Sequence, residues 1–263
     1  IVLLGGIKRI AEVAGKLVPF MAIVYFVATL SILLLNITEL PSAIVFIVDS
    51  AFNGAAATGG FAGATIMLAL RMGVARGIFS NESGLGSAPI AHAAAETNSP
   101  VRQGTIAMLG TFIDTLIICT MTGLVLVVTG VWSGEPQGAA MTLSAFKAEL
   151  PYGDIILSCC IVLFAFTTML GWSYYGERCA EFLLGPKVIV PFRVLWVIGV
   201  FLGTQMSLEL VWKMSDALNG MMAIPNLIAL ILLAPVVFRL TREYFADEQS
   251  NQVGTDIRED NAG

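Results

Sequence analysis

The sequence predicts an all-α integral membrane protein. Three observations carry that prediction. Of the 263 residues, 57% are hydrophobic, and the mean hydropathy is +0.84. Only 13% are charged, against about 25% in a soluble domain. Apolar runs close to the ~20 residues needed to cross ~30 Å of hydrocarbon recur along the chain. In lipid every backbone polar group must be satisfied within the chain, so these runs are helices rather than open strands.

Six runs qualify. The first covers residues 17–38, behind Lys8, Arg9 and Lys16. The second, 51–70, is uncharged but rich in Gly and Ala. The third, 103–134, is long and holds one charge, Asp114. The fourth is 155–176. The fifth, 194–208, is shorter and lengthens backwards only by taking in Arg193. The sixth is 217–238. Pro41 suits the first turn of a short helix after the first run, and residues 137–153 hold apolar positions at Met141, Leu143, Phe146 and Leu150. Both connections are expected as lids on the membrane surface or as plain connecting helices.

Charge orders these runs. All 14 basic residues except Lys147 and Lys213 precede the first run or follow the second, fourth or sixth. That alternation places the C-terminus in the cytoplasm. The net charge of −5 comes largely from the tail beyond Tyr244, expected as a disordered acidic segment at 245–263. It identifies no partner, and no nucleic acid is expected. The chain opens without Met inside an apolar run, with no signal peptide, and reads as the C-terminal part of a longer protein. Cys119, Cys159, Cys160 and Cys179 form no CxxC and are expected as buried, reduced thiols.

A polar stretch ahead of the acidic tail is "RGIFSNESGLGSAPIAHAAAE", residues 76–96. No GxSxG follows a strand, no HExxH occurs, and Gly84-Leu85-Gly86 continues into Ser87-Ala88-Pro89, which matches no phosphate loop. Enzymatic chemistry is therefore not expected. Asn81, Glu82 and Ser83 suit helix capping. Gly84 and Gly86 allow positive φ, and Pro89 suits the first turn of a following helix. With Arg76 close in sequence, the segment is either a hinged gate or a well-capped loop. His92 reads as a surface histidine; nothing beside it supports proton coupling.

Two other segments carry candidate ligand chemistry. Gly59, Gly60 and Gly63 interrupt the second run. They make either a helix-packing seam or a broken helix that holds substrate at the midplane, with Phe61 as an aromatic wall. In the fourth run, the Phe164 carbonyl and the Thr167 and Thr168 hydroxyls lie within one turn. Threonine usually bonds its own helix, but the same oxygens suit a hard cation. Trp172 shares a face with Thr168. Asp114, a carboxylate inside a span, is costly there and is functional by default, or else a structural hydrogen-bonding group. Asp216 and Asn219 open the sixth run, and Pro225 with Asn226 is expected to kink it.

The runs "GVARGIFSNESGLGSAPIAHAAAETNSPVRQG", "TFIDTLIICTMTGLVLVVTG", "LFAFTTMLGWSYYGERCAEFL" and "SDALNGMMAIPNLIALILL" closely resemble the bacterial alanine or glycine:cation (sodium:alanine) symporter family. The likeness extends from "GGIKRIAEVAGKLVPFMA" to about Tyr244. Ser83 departs from the family's frequent "NEAGLGS". The resemblance implies a leucine-transporter-type fold: two inverted repeats of five helices plus one extra. Residues 1–244 would then hold the last helix of the first repeat and all of the second. It implies that Gly59, Gly60, Phe61, Gly63, Thr65, Thr168 and Trp172 face a small neutral amino acid. It further implies that Phe164 (carbonyl), Thr167 and Thr168 form half of a Na⁺ site. On the reading of the residues themselves, Arg76, Asn81, Glu82, Gly84, Gly86 and Asp114 are expected to gate or couple. On the resemblance, Na⁺ is then the coupling ion, no tightly bound cofactor is needed, and the partners are the lipid bilayer and a missing N-terminal half carrying the other broken helix. A proton-coupled or different-substrate carrier, and a non-transporting membrane scaffold or sensor, remain the alternative readings.

Overall fold

The computed structural model describes residues 6–52, 62–134 and 138–260; at 6–9, 11, 51–52, 62–69 and 247–260 it describes the backbone alone. The described residues are helical or in turns. The helices are α1 (Gly6–Leu35), α2 (Leu40–Phe52), α3 (Ala62–Ser80), α4 (Ala88–His92), α5 (Pro100–Thr111), α6 (Thr120–Val128), α7 (Ala139–Glu149), α8 (Gly153–Leu184), α9 (Ile189–Gly203) and α10 (Leu208–Asp260). A π-helical stretch, Phe112–Cys119, joins α5 to α6, and short 3₁₀ turns lie at Val131–Ser133 and Pro186–Val188.

Five described stretches are long and apolar enough to cross a membrane: Glu12–Leu35, Pro100–Val128, Gly153–Leu184, Pro186–Gly203 and Leu208–Ala246. They match the first, third, fourth, fifth and sixth expected runs. The second run lies mostly outside the described residues. Beyond it, α3 continues to Ser80, so Arg71 and Arg76 sit on a helix rather than in a loop. Ala, Leu, Met and Arg are strong helix formers, and no proline removes a backbone donor there. The last span begins nine residues before Ala217, at Leu208, so Asp216 and Asn219 lie inside α10. Pro225 and Pro235 are also internal to α10, which continues past both and carries helix into the acidic tail as far as Asp260.

The chain divides into two compact units. The first joins Ile1–Gly77 to Phe112–Ser207. Its core is Tyr25, Ala28, Ile32 and Leu33 of α1, Val125 of α6, Ala145 and Phe146 of α7, and Leu157 and Cys160 of α8. On α1, Tyr25, Ala28 and Ile32 recur every three or four positions, the period that builds one helix face. The Tyr25 ring stacks on Phe146 and meets Phe164 edge-on, each at 5.8 Å between centroids. The Tyr25 hydroxyl pairs with Thr122 Oγ1 at 2.6 Å, so the buried phenol is satisfied. At the end of α1, Asn36 Nδ2 donates to Glu149 of α7 at 2.8 Å. A Cβ on Gly153 would collide with the Phe146 carbonyl oxygen, so the α7–α8 corner closes only around glycine.

Two expectations change here. α7 is no surface lid: Ala145 and Phe146 are fully buried, because its apolar residues complete the α1–α6–α8 core. Of the four free cysteines only Cys160 is buried; Cys119, Cys159 and Cys179 are exposed. In a membrane chain apolar residues face lipid as readily as protein, so an apolar run does not imply burial within the fold.

The second unit joins Ile78–Thr111 to Leu208–Gly263. Phe79 meets Trp212 of α10 edge-on at 5.9 Å, and Leu85 and Ser87 are buried. The candidate span of α10 buries none of its most apolar window. Leu230, Ile231, Leu232 and Leu233 are all exposed. A contiguous apolar surface of this kind needs a nonaqueous surround.

Candidate functional site

α8 carries the densest set of predicted ligands, and two different contacts fix its rotation. Its N-terminal half buries Leu157 and Cys160 and turns the Phe164 ring onto Tyr25. Its C-terminal half buries Leu170, Ser173 and Glu177. Between them, Thr167 Oγ1 donates to the carbonyls of Leu163 (2.9 Å) and Phe164 (3.1 Å). The structure thus brings the Thr167 hydroxyl and the Phe164 carbonyl together, in the ordinary threonine-to-helix bond. Thr168 is exposed, and its hydroxyl finds no partner among the described residues. Trp172 lies one turn on, half-buried, its ring edge-on to Tyr175 at 5.8 Å.

The C-terminal end of α8 holds an ion cluster that the sequence reading missed. Glu177 is 5% exposed. Arg193 of α9 grips it with both ends of its guanidinium: Nε to Oε2 at 2.6 Å and Nη2 to Oε1 at 2.9 Å. Arg178 Nη2 adds a contact to Oε1 at 3.0 Å and itself pairs with Glu181 at 2.6 Å. Bidentate geometry makes this the strong kind of charge-assisted bond. One residue away, Gly176 leaves room for Phe192: a Cβ there would approach its Cζ to 2.5 Å. Phe192 stacks on Trp196 at 6.0 Å. The signal was available, since a lone arginine in an apolar span demands a counter-charge, and Glu177 closes the preceding one.

The polar turn after α3 is built differently from its expected capping role. The Ser83 amide bonds the Ile78 carbonyl at 3.1 Å and the Glu82 amide bonds Phe79 at 3.3 Å. That is the reciprocal pair of a Schellman C-cap. Glu82 holds the left-handed position, φ +50°, which glycine normally fills, at a cost of about 1–2 kcal/mol. Its carboxylate is held in turn, accepting the buried Ser87 hydroxyl at 2.7 Å. Asn81, Glu82 and Ser83 therefore close the end of α3 instead of starting a helix. Ser87 precedes α4 without a side-chain cap bond, and Pro89 sits in the first turn as expected. Gly84 and Gly86 have φ of +73° and +82°. Gly86 lies against α10, where an added Cβ would stand 3.0 Å from Asn226 Oδ1. His92, half-buried at the end of α4, pairs through Nδ1 with Gln103 Nε2 at 2.9 Å.

Asp114 is half-buried on the π-helical stretch. π-turns are rare and concentrate at functional positions. Gly59, Gly60 and Phe61 lie outside the described residues. Gly63 and Thr65 fall in the first turn of α3, where only the backbone is described. Arg76 lies on α3 in the last turns before the cap. Among the described residues no three His, Cys, Asp or Glu side chains gather as a metal site; a Na⁺ site of carbonyl and hydroxyl oxygens is outside that pattern.

Long apolar helices that bury almost nothing outward, an ion pair sealed between two of them and hydroxyls inside a span define a multi-pass membrane protein. The chain belongs to the sodium:alanine symporter family, which matches residues 1–258. It is thus a transporter-family protein and not an enzyme. An uncharacterized transporter of Haemophilus influenzae is 52% identical over 97% of this chain and 57% of its own length. The sodium/alanine symporter AgcS of Methanococcus maripaludis is 49% identical over 92% of this chain and 54% of its own. The probable sodium/glutamine symporter GlnT of Bacillus subtilis is 36% identical over 95% and 52%. The chain thus spans about half the length of the curated relatives it matches. The family match takes in the chain itself, so it lends no support to a missing N-terminal half.

Proposed function

We propose that this chain forms part of a Na⁺-coupled symporter for a small neutral amino acid, alanine or glycine, working by alternating access in the cytoplasmic membrane. The observation that carries the reading is the family match over residues 1–258, joined by a relative at 49% identity named a sodium/alanine symporter. The fold proposed is the leucine-transporter type, with α1 closing one repeat, the glycine-rich break at 59–63 opening the next, and the tail cytoplasmic.

The α8 geometry is compatible with that reading. Thr167 directs its proton to backbone carbonyls, which leaves hydroxyl lone pairs for a cation. The Phe164 carbonyl and Thr168 complete half of a Na⁺ site, and Thr168 with Trp172, Phe61 and Thr65 faces the amino acid. Bound Na⁺ stabilises the substrate-loaded state, and the membrane potential adds about 2.3 kcal/mol per charge per 100 mV. The turn at Asn81–Gly86, with Arg76, acts as the inner gate.

The test is labelled alanine uptake into proteoliposomes of the full-length protein, with and without an inward Na⁺ gradient. Na⁺-dependent uptake is expected, with Thr168→Ala and Trp172→Ala raising the half-saturating alanine concentration tenfold or more. Unchanged Na⁺ and alanine dependence in both variants would sink the site assignment. Asp114, half-buried on a π-helical stretch, favours a second reading, proton coupling. Asp114→Asn abolishes uptake driven by a pH gradient if that reading holds, and merely slows Na⁺-driven uptake if it does not.

A further inference from the structure

A cavity of about 400 Å³ opens in the first unit, between α2 and the end of α6. Glu39, Ser42, Phe46, Val127 and Trp132 line it. It is separate from the α8 ligands and from the Glu177 cluster, and among the described residues no lysine or arginine lines it.

Its chemistry is that of a cation receptor. Among the described residues nothing donates to the Glu39 carboxylate. The Ser42 hydroxyl already donates to the Glu39 backbone carbonyl at 2.7 Å, so it offers only lone pairs to a ligand. Phe46 and Trp132 stand 5.3 Å apart and are 43% and 49% exposed. Carboxylate, hydroxyl lone pair and aromatic faces suit a primary ammonium, which brings three N–H donors and a charge that aromatic faces attract. They disfavour an anion, and a quaternary ammonium would leave the acceptors unused.

Position says where such a group comes from. α2 has 13 residues, about 20 Å at 1.5 Å per residue, too short for ~30 Å of hydrocarbon. It nevertheless exposes Ile44, Val45, Phe46, Ile47 and Val48, the character of a helix lying in the membrane boundary. Trp132 lies just beyond the spanning stretch that ends at Val128, at the level tryptophan favours. The cavity therefore opens at head-group depth, with Val127 extending it toward the acyl region.

We propose that this cavity binds a primary alkylammonium group, with Glu39 as the charge partner and Phe46 and Trp132 as its walls. The depth favours the head group of an aminophospholipid; the ammonium of a free amine or amino acid is the other source of the same chemistry. The full-length protein is placed in nanodiscs of phosphatidylcholine doped with phosphatidylethanolamine, and retained lipid is read by native mass spectrometry. Wild type is expected to retain phosphatidylethanolamine at least fivefold over phosphatidylcholine. Glu39→Gln abolishes that preference and leaves total bound lipid unchanged, while Glu39→Asp keeps part of it. In pure phosphatidylcholine, ethanolamine is titrated against tryptophan fluorescence. A saturable response that disappears in Glu39→Gln assigns the free amine as the ligand. A wild type with neither a phosphatidylethanolamine preference nor a saturable ethanolamine response overturns the proposal without reference to any variant. A preference that survives in a folded Glu39→Gln overturns the role of Glu39.

Discussion

Replacing Gly86 with alanine tests the turn that closes α3 against α10. The backbone there has φ +82°, a left-handed conformation that costs an L side chain about 1–2 kcal/mol. The new Cβ would also stand 3.0 Å from Asn226 Oδ1, 3.1 Å from its Cγ and 3.2 Å from its Cβ. Rotating the Asn226 side chain moves the first two atoms. The third is fixed to α10, so turn or helix must shift, an overpacking cost of about 1–3 kcal/mol. Together the two effects predict a loss of about 2–5 kcal/mol. Two internal controls calibrate it. Gly84 has φ +73°, but its nearest neighbour, Leu227 Cδ2, is 3.6 Å from an added Cβ, so only the ~1–2 kcal/mol backbone cost applies. Gly104, in α5, has nothing within 4 Å, and alanine there gains up to ~1 kcal/mol of helix propensity. The assay is the thermal midpoint of the purified protein in detergent, with hydrogen exchange across residues 81–92 and 222–230. The expected order of stability is Gly104→Ala, wild type, Gly84→Ala, Gly86→Ala. A Gly86 variant as stable as the Gly84 variant would refute the contact with Asn226; one as stable as the Gly104 variant would refute the left-handed turn as well.

Two further perturbations probe the first unit. Glu177→Gln leaves the partly buried guanidinium of Arg193 without its main counter-charge and should cost about 1–3 kcal/mol. Adding Arg193→Met should restore most of that in a double-mutant cycle of thermal stability, and two additive losses would show that the pair does not act as a unit. Gly153→Ala forces α7 away from α8 at the Phe146 carbonyl. It should destabilise more than Gly171→Ala, whose added Cβ meets nothing within 4 Å, and equal midpoints for the two would show that the corner is loose.

The left-handed Glu82 bears on the proposed gate. Strain at a non-glycine position persists only where its surroundings hold it. Here the backbone bonds of the Ser83 and Glu82 amides to Ile78 and Phe79 and the hydrogen bond from buried Ser87 hold it together. Strain held by several contacts at once is the kind that concentrates in switch regions, which suits a segment proposed to open and close.

The spanning helices were legible in the sequence because hydrocarbon imposes a one-dimensional rule: a long apolar stretch without charges satisfies its backbone only as a helix. Five of the six expected runs reappear as described spans, and Pro41 and Pro89 sit at helix starts as their chemistry requires. The family was legible for another reason: the polar run at 76–96 is distinctive in residue types alone. What the sequence left open is which helix faces meet. Glu177 and Arg193 are 16 residues apart and Asn36 and Glu149 are 113; nothing in local composition pairs them. The same holds for the burial of α7, whose apolar residues are no different in kind from residues 44–48 of α2, which stay exposed. It holds too for Thr168, exposed while its neighbour Thr167 bonds the helix backbone. In water burial separates apolar from polar residues and so writes itself into the sequence. In lipid both faces of a helix are apolar, and only shape, buried charge and close glycine contacts decide which one turns inward.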